Sequence, residues 1–201
     1  MEYETGLTLA NEIIALLDPF CERIEIAGGL RRKKPSPHDI EIVLAPKYLP
    51  GIDGFGSTDY ENEVNTADAT IQKLIKEGVF QNGEPDKAGK RAPAGPKYYR
   101  LKFKGEKVDI FSVIEPAQWG TVFLIRTGDA DFSHSFVLRL WKFGLRSRDG
   151  HIETDLGPNY AHEILPTPEE SDCFELADMP YIEPEKRTIE IFKTLQAEAS
   201  R

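Results

Sequence analysis

Two carboxylates leave one short extended segment side by side in Asp39-Ile40-Glu41-Ile42-Val43-Leu44, and a chain that does this has to neutralise them. A period of two puts Ile40, Ile42 and Leu44 on one face and Asp39 with Glu41 on the other. Like charges that close raise each other's pKa unless a cation lies between them, which a hard divalent ion with oxygen ligands supplies. Mg²⁺ is the natural ion. Upstream, Arg23 to Ala27 alternates in the same way and reads as a second half-buried strand. The stretch joining the two, Gly28-Gly29-Leu30-Arg31-Arg32-Lys33-Lys34, sets paired glycines ahead of four consecutive cations. Residues without a Cβ let backbone N–H groups approach an anion, and Arg31 and Arg32 add charge-assisted donors. Asp-x-Glu alone is usually a solvated edge and Gly-Gly alone a turn. Together, at this spacing, they suit a triphosphate with its metal.

Size and composition permit such a site. The chain of 201 residues can bury one good core or two small ones, and 40% hydrophobic with 29% charged is ordinary for a globular protein. Cys21 and Cys173 lie far apart, and neither a signal peptide nor a long apolar run is present, so a reduced, cytoplasmic setting without a membrane is expected. The net charge of −9 argues against a nucleic-acid binder only as a single number. From His151 to Glu185 there are ten acids and no Lys or Arg, and taking that segment away leaves about +1. Cations gather at Arg31 to Lys34, at Lys87, Lys90, Arg91, Lys97, Arg100, Lys102, Lys104 and Lys107, and at Arg139, Lys142, Arg146 and Arg148. A face that tracks phosphates, weakly at physiological salt, is the expectation.

In chain order, Leu9, Ile13, Leu16, Leu17 and Phe20 recur at helical spacing until Asp18-Pro19 ends the run. Ala45 to Asp59 is rich in Gly, Pro and Asp and reads as loop; Asn65 or Thr66 then caps a helix with Ile71, Leu74 and Ile75, stopping at Gly78. Gln81 to Pro96 reads as a second loop. Tyr98 to Phe103 and Glu106 to Val113 form a hairpin through Lys104-Gly105. In its second strand Asp109 is flanked by apolar residues, and a buried carboxylate needs a partner. Beyond Glu115-Pro116 come a helix with Trp119, Val122 and Phe123, a break at Thr127-Gly128, and a helix with Phe132, Phe136, Leu140 and Phe143 closed by Gly144.

Gly-Gly-Leu-Arg-Arg followed, seven residues after the second arginine, by Asp39-x-Glu41 resembles the palm motif of X-family DNA polymerases, the DNA polymerase beta group. Lys107-Val108-Asp109 matches the strand on which that family places its third metal carboxylate, with lysine for the usual arginine. Helix, Thr-Gly break and helix resemble its thumb, and Thr167 to Phe174 with Pro180 to Arg187 resembles its closing segment, with Glu183 as a departure. The resemblance covers Leu9 to Arg187 and is loose between Ala45 and Pro96. It implies an α+β fold, a nucleotidyltransferase palm (mixed β-sheet with flanking helices) over 1–116 followed by a small, mostly helical thumb over 117–201. It is to the reduced form, expected to lack helix-hairpin-helix modules and lyase chemistry.

The resemblance further implies a nucleotidyltransferase that adds nucleoside monophosphates from (d)NTPs to a 3′-hydroxyl by a two-metal mechanism, on primer/template DNA held weakly by a monomer. Asp39, Glu41 and Asp109 are the implied ligands of Mg²⁺, with Mn²⁺ as substitute, and Gly28, Gly29 and Arg32 hold the triphosphate. Arg126, Thr127, Gly128 and Ser133 fall at the sugar and base pocket, where Ile125 and Arg126 replace the family's aromatic pair. Glu41 stands for the commoner aspartate, and its extra methylene moves the carboxylate outward. Three other readings fit the same residues: a template-independent or small-molecule, RNA or protein nucleotidyltransferase, an inactive binding module of the same fold, and an acidic interaction protein.

Overall fold

In the computed structural model, which describes residues 1–52, 58–85, 89, 92–113, 117–157 and 161–198, the alternating stretches become strands of one mixed sheet. The chain divides into two compact units, Met1–Ile26 with Ser36–Ser112, and Ala27–Pro35 with Val113–Arg201. The Gly28-Gly29 stretch, early in sequence, thus packs with the later residues.

The first unit begins with α1 (Tyr3–Leu17), whose Leu9, Ile13 and Leu17 recur every fourth residue and are buried. Leu16 and Phe20, expected on the same face, are exposed. Leu16 sits one residue off the stripe, and Phe20 ends a 3₁₀ turn, Asp18–Phe20, that carries Pro19 and redirects the chain. Strand β1 (Cys21–Ile26) pairs antiparallel with β2 (Ile40–Pro46); they overlap the expected stretches, with β1 starting two residues earlier and β2 running two residues beyond Leu44, and Asp39 stands just before β2. The loop expected over 45–59 instead contains a ribbon, β3 (Tyr48–Ile52) with β4 (Thr58–Asn65). Its register shifts at Pro50/Gly51, and Gly51 is needed there because a Cβ would lie 2.4 Å from the Asn62 carbonyl oxygen. Helix α3 (Thr66–Lys76) starts as expected, with the Asn65 side chain accepting from Asp68 N–H at 2.9 Å, and buries Ala67, Ile71 and Leu74.

Residues 81–96, expected to be loop, begin and end in short strands, β5 (Phe80–Asn82) and β6 (Ala94–Gly95). Strands β7 (Tyr98–Phe103) and β8 (Glu106–Ser112) meet through Lys104-Gly105, both at positive φ, the two-residue hairpin turn that matches strand twist. The sheet order is β1-β2-β8-β7-β5 with β6 on β7, and β2 with β8 is its parallel pair. Ile40, Ile42 and Leu44 share a face with Val108 and Ile110, all fully buried, and α1 and α3 pack on the strands. Val43 and Ala45, on the other face, are buried as well, so only the Asp39 end of β2 is polar.

In the second unit α2 (Gly28–Arg31) is a single turn packed on α4 (Trp119–Thr127). Asp129 caps α5 (Ala130–Trp141), accepting from Phe132 N–H at 2.7 Å. Phe143 lies beyond the end of α5 and is exposed, contrary to its place in the helical pattern. A small antiparallel sheet, unexpected in a mostly helical unit, joins β9 (Leu145–Arg148), β10 (His151–Thr154) and β11 (Ile164–Leu165). Its strands are short and polar, with only Leu145 and Ile152 buried as apolar anchors, which leaves little periodicity to read. Helices α6 (Glu170–Leu176) and α7 (Ile189–Glu198) complete the unit, and Phe136 meets Phe174 edge-on at 5.3 Å in its core.

Gly120 marks the closest approach in this unit: its N–H donates to the Thr167 carbonyl at 2.7 Å, and a Cβ would lie 2.1 Å from the Glu169 carbonyl oxygen. Because both obstacles are backbone, Gly120→Ala is expected to cost at least the roughly 1–3 kcal/mol typical of overpacking. Urea denaturation checks this, and an unchanged midpoint would show that α4 can shift away from 167–169.

Candidate functional site

Pairing in the first unit lines up charges across one face of the sheet. Glu41 is the register partner of Asp109, and Asp109 is the partner of Arg100 on β7. Two residues along, Lys107 opposes Lys102. Asp39, in the bend just before β2, lines a cavity together with Asp109. Of the expected carboxylates, Glu41 and Asp109 therefore share a face.

The cavity, of about 490 Å³, opens on this face, lined by Asp39, Asp109, Arg100, Lys102, Lys107 and Leu101 together with Gly83, Glu84, Pro85, Ala92 and Pro93. Arg100 is fixed through its backbone, its N–H donating to the Pro93 carbonyl and its own carbonyl accepting from Gly83 N–H, both at 2.9 Å. Its guanidinium grips Asp109 with two parallel bonds, Nε to Oδ1 at 3.0 Å and Nη2 to Oδ2 at 2.9 Å. Lys102 Nζ meets Glu84 Oε1 at 2.6 Å, and the lysine holds the Glu84 carboxyl below its ordinary range. Asp39 is pushed up instead, first by burial and then by the charge of Asp109.

Arg100, absent from the sequence-derived site, had a signal. A two-residue turn at Lys104-Gly105 fixes the hairpin register, and that register sets Arg100 opposite Asp109.

As a metal site, the donor chemistry fits: Asp39, Glu41 and Asp109 are hard oxygen donors, Glu41 and Asp109 on one face. Among the described residues, however, no group of three His, Cys, Asp or Glu side chains stands arranged around a common point, and both oxygens of Asp109 are already bonded to Arg100. Lys87, Lys90 and Arg91 of the expected basic stretch lie outside the described residues.

The other expected residues meet in the second unit. Gly28 has φ +60, which favours glycine, and Gly28 and Gly29 are buried at the start of α2. Arg32 donates through Nη1 to the carbonyl of Thr127. Arg31 Nη1 donates to Thr127 Oγ1 at 2.8 Å, and its guanidinium lies 3.7 Å from the Phe123 ring centroid. Thr127 is fully buried, and Gly128 has no room for a Cβ, which would sit 2.5 Å from Phe132 Cδ1. Ser133, expected at the base, donates its hydroxyl to the Ile125 carbonyl at 2.9 Å, while Arg126 is exposed.

Arg31, read as an anion donor beside Arg32, has a different engagement. Both of its terminal nitrogens lie 2.7 Å from the oxygens of Glu170. Arg187 grips the same carboxylate from within the unit, through Nη1 and, at 3.0 Å, Nη2. Sequence patterning missed this cluster because Arg31, Glu170 and Arg187 are brought together only by long-range packing.

No protein-family model matches the chain, and no curated protein matches it at a significant level.

Burial raises the Glu170 pKa, but hydrogen bonds from Arg31 and Arg187 outweigh it and hold the carboxyl below the ordinary glutamate range. A carboxyl depressed on folding contributes stability that is fully present above its unfolded pKa, about 4.3, and is lost as pH falls through the lower folded value. The second unit is therefore expected to lose stability below about pH 4. Glu170→Gln removes that dependence and, at neutral pH, leaves the buried Arg187 and the part-buried Arg31 uncompensated, at a cost of roughly 3–5 kcal/mol. Denaturation across pH 3–7 checks both expectations.

Proposed function

We propose that the chain is a Mg²⁺-dependent nucleotidyltransferase resembling a minimal X-family DNA polymerase. The observation that supports this reading best is the register of Glu41 beside Asp109, with Asp39 and Asp109 lining a cavity that also holds Arg100, Lys102 and Lys107. Acids for metal and cations for phosphate, on one wall, suit transfer of a charged group better than they suit a solvated strand edge.

In this reading Asp39, Glu41 and Asp109 hold the ions. Bound metal would supply a lowered pKa for an attacking 3′-hydroxyl and neutralisation of a departing pyrophosphate. Asp109 is also the acceptor for the hydroxyl proton, because it lies on the central strand and is the least exposed of the three. Lys107 and Lys102 line the cavity and would meet an anionic group of the substrate there. Gly28, Gly29 and Arg32 keep the triphosphate role that the resemblance implies, with Thr127 and Gly128 at the sugar and Ser133 toward the base. Arg31 acts through Glu170 and Thr127 as a positioning residue for that loop.

Primer extension with labelled primer, (d)NTPs and Mg²⁺, run with and without a complementary template, tests the activity. Template-dependent extension supports the polymerase reading, and untemplated extension supports the alternative nucleotidyltransferase. Asp39→Ala and Asp109→Ala are each expected to abolish transfer while the circular-dichroism spectrum stays that of the parent. Parental extension by purified Asp39→Ala would show that the ion assignment is wrong.

Weak sugar discrimination is expected. Excluding a 2′-hydroxyl by shape needs a rigid ring or backbone close to C2′, and Ile125 is small and half-buried against the unit's core while Arg126 is long and exposed. Single-nucleotide incorporation of GTP and dGTP should differ by well under about a thousandfold, which corresponds to about 4 kcal/mol. A larger deoxy preference would place the sugar gate in the backbone at Thr127-Gly128.

A further inference from the structure

Asp109 lies on β8 with a strand bonded on either side, so the sheet holds its carboxylate in place. Arg100 is anchored through its backbone, and its guanidinium bonds Asp109 and Tyr98 from a more exposed position. Its side chain is 50% exposed against 10% for Asp109, it passes Gly83, where a Cβ would lie 2.8 Å from Arg100 Cγ, and it ends in the cavity 5.7 Å from the Tyr98 ring centroid. The guanidinium fork takes Oδ1 and Oδ2 together, the same lone pairs a divalent cation uses. Two cations thus compete for one carboxylate, and of the two protein groups only the arginine can leave by rotating into solvent.

We propose that Arg100 is a built-in counter-ion that a divalent metal must displace from Asp109. The metal-free chain keeps its central carboxylate neutralised, and the metal-loaded chain releases the half-exposed guanidinium to solvent. The proposal rests on the metal reading of Asp39, Glu41 and Asp109. Arg100 is a positioning residue in this scheme: it sets the metal affinity through Asp109.

The test is Mn²⁺ binding to the full chain, measured as free Mn²⁺ by electron paramagnetic resonance, for the parent, Arg100→Met, Arg100→Lys and Lys102→Met. Arg100→Met keeps the stem against Gly83 and removes the fork, and is expected to bind Mn²⁺ about tenfold more tightly than the parent. Arg100→Lys keeps the charge without the fork and is expected to bind about threefold more tightly. Lys102→Met removes a cation from the same cavity without touching Asp109, and its change should be smaller than that of Arg100→Lys. Unchanged or weaker binding by the Arg100 variants, with the parent still binding, overturns the proposal and leaves the metal reading standing. Equal tightening by Lys102→Met also overturns it, since net charge alone would then explain the effect. Absence of Mn²⁺ binding in all four proteins overturns the metal reading and the proposal with it. Should Arg100→Met fail to fold, Arg100→Lys decides by the same criterion.

Discussion

A carboxylate on the central strand of a sheet has to be neutralised, and the first unit is arranged around that requirement at Asp109. Its strand is flanked by β2 and β7, and its face beyond the cavity is Phe111, stacked on Tyr98 at 4.7 Å. Water cannot reach the group from the sheet side, because Val108 and Ile110 bury the opposite face completely. A charge placed there needs a partner with matching geometry, and a two-point guanidinium supplies it. The hairpin turn at Lys104-Gly105 is what makes the pair, since a one-residue slip would send Arg100 to the other face.

The second unit solves a similar problem in another way. Glu170 is 4% exposed, and two arginines hold it, one of them fully buried. Its position at the start of α6 also favours a negative charge, because the first-turn N–H groups carry partial positive charge. A cluster of two cations and one anion retains a net positive charge, part of which is spread onto the aromatic faces of Phe123, Phe174 and Tyr181. Arg31 links this cluster to α4 through Thr127, so the glycine turn is fixed by charges far away in sequence.

Much of this was legible without coordinates, and the limits are physical. Strong apolar alternation gave β1, β2, β7 and β8, and cap and turn residues gave α3, α5 and the Lys104-Gly105 hairpin. The three carboxylates were readable because strand period alone puts Asp39 with Glu41, and a core strand with an acid singles out Asp109. Ribbon β3–β4 and the sheet β9–β11 were not, since their strands are polar or too short for a period to emerge. The partner of Asp109 could have been derived from hairpin register, whereas that of Arg31 could not, because it depends on how residues 139 positions apart pack.

Exposure separates the two charge clusters and what each can do. Arg187 and Glu170 are enclosed, so losing either would strand a buried charge and the cluster has one low-energy arrangement. Arg100 is half exposed, so rotating it away from Asp109 costs a hydrogen-bonded pair but exposes no new apolar core and returns the guanidinium to water. A cation arriving at Asp109 then meets a carboxylate already organised by the sheet and a partner able to withdraw. The same argument explains why the net charge of −9 says little about the cavity. Its wall carries Arg100, Lys102 and Lys107 against Asp39, Asp109 and Glu84, a balanced set whose sign is decided by which of these groups a ligand neutralises.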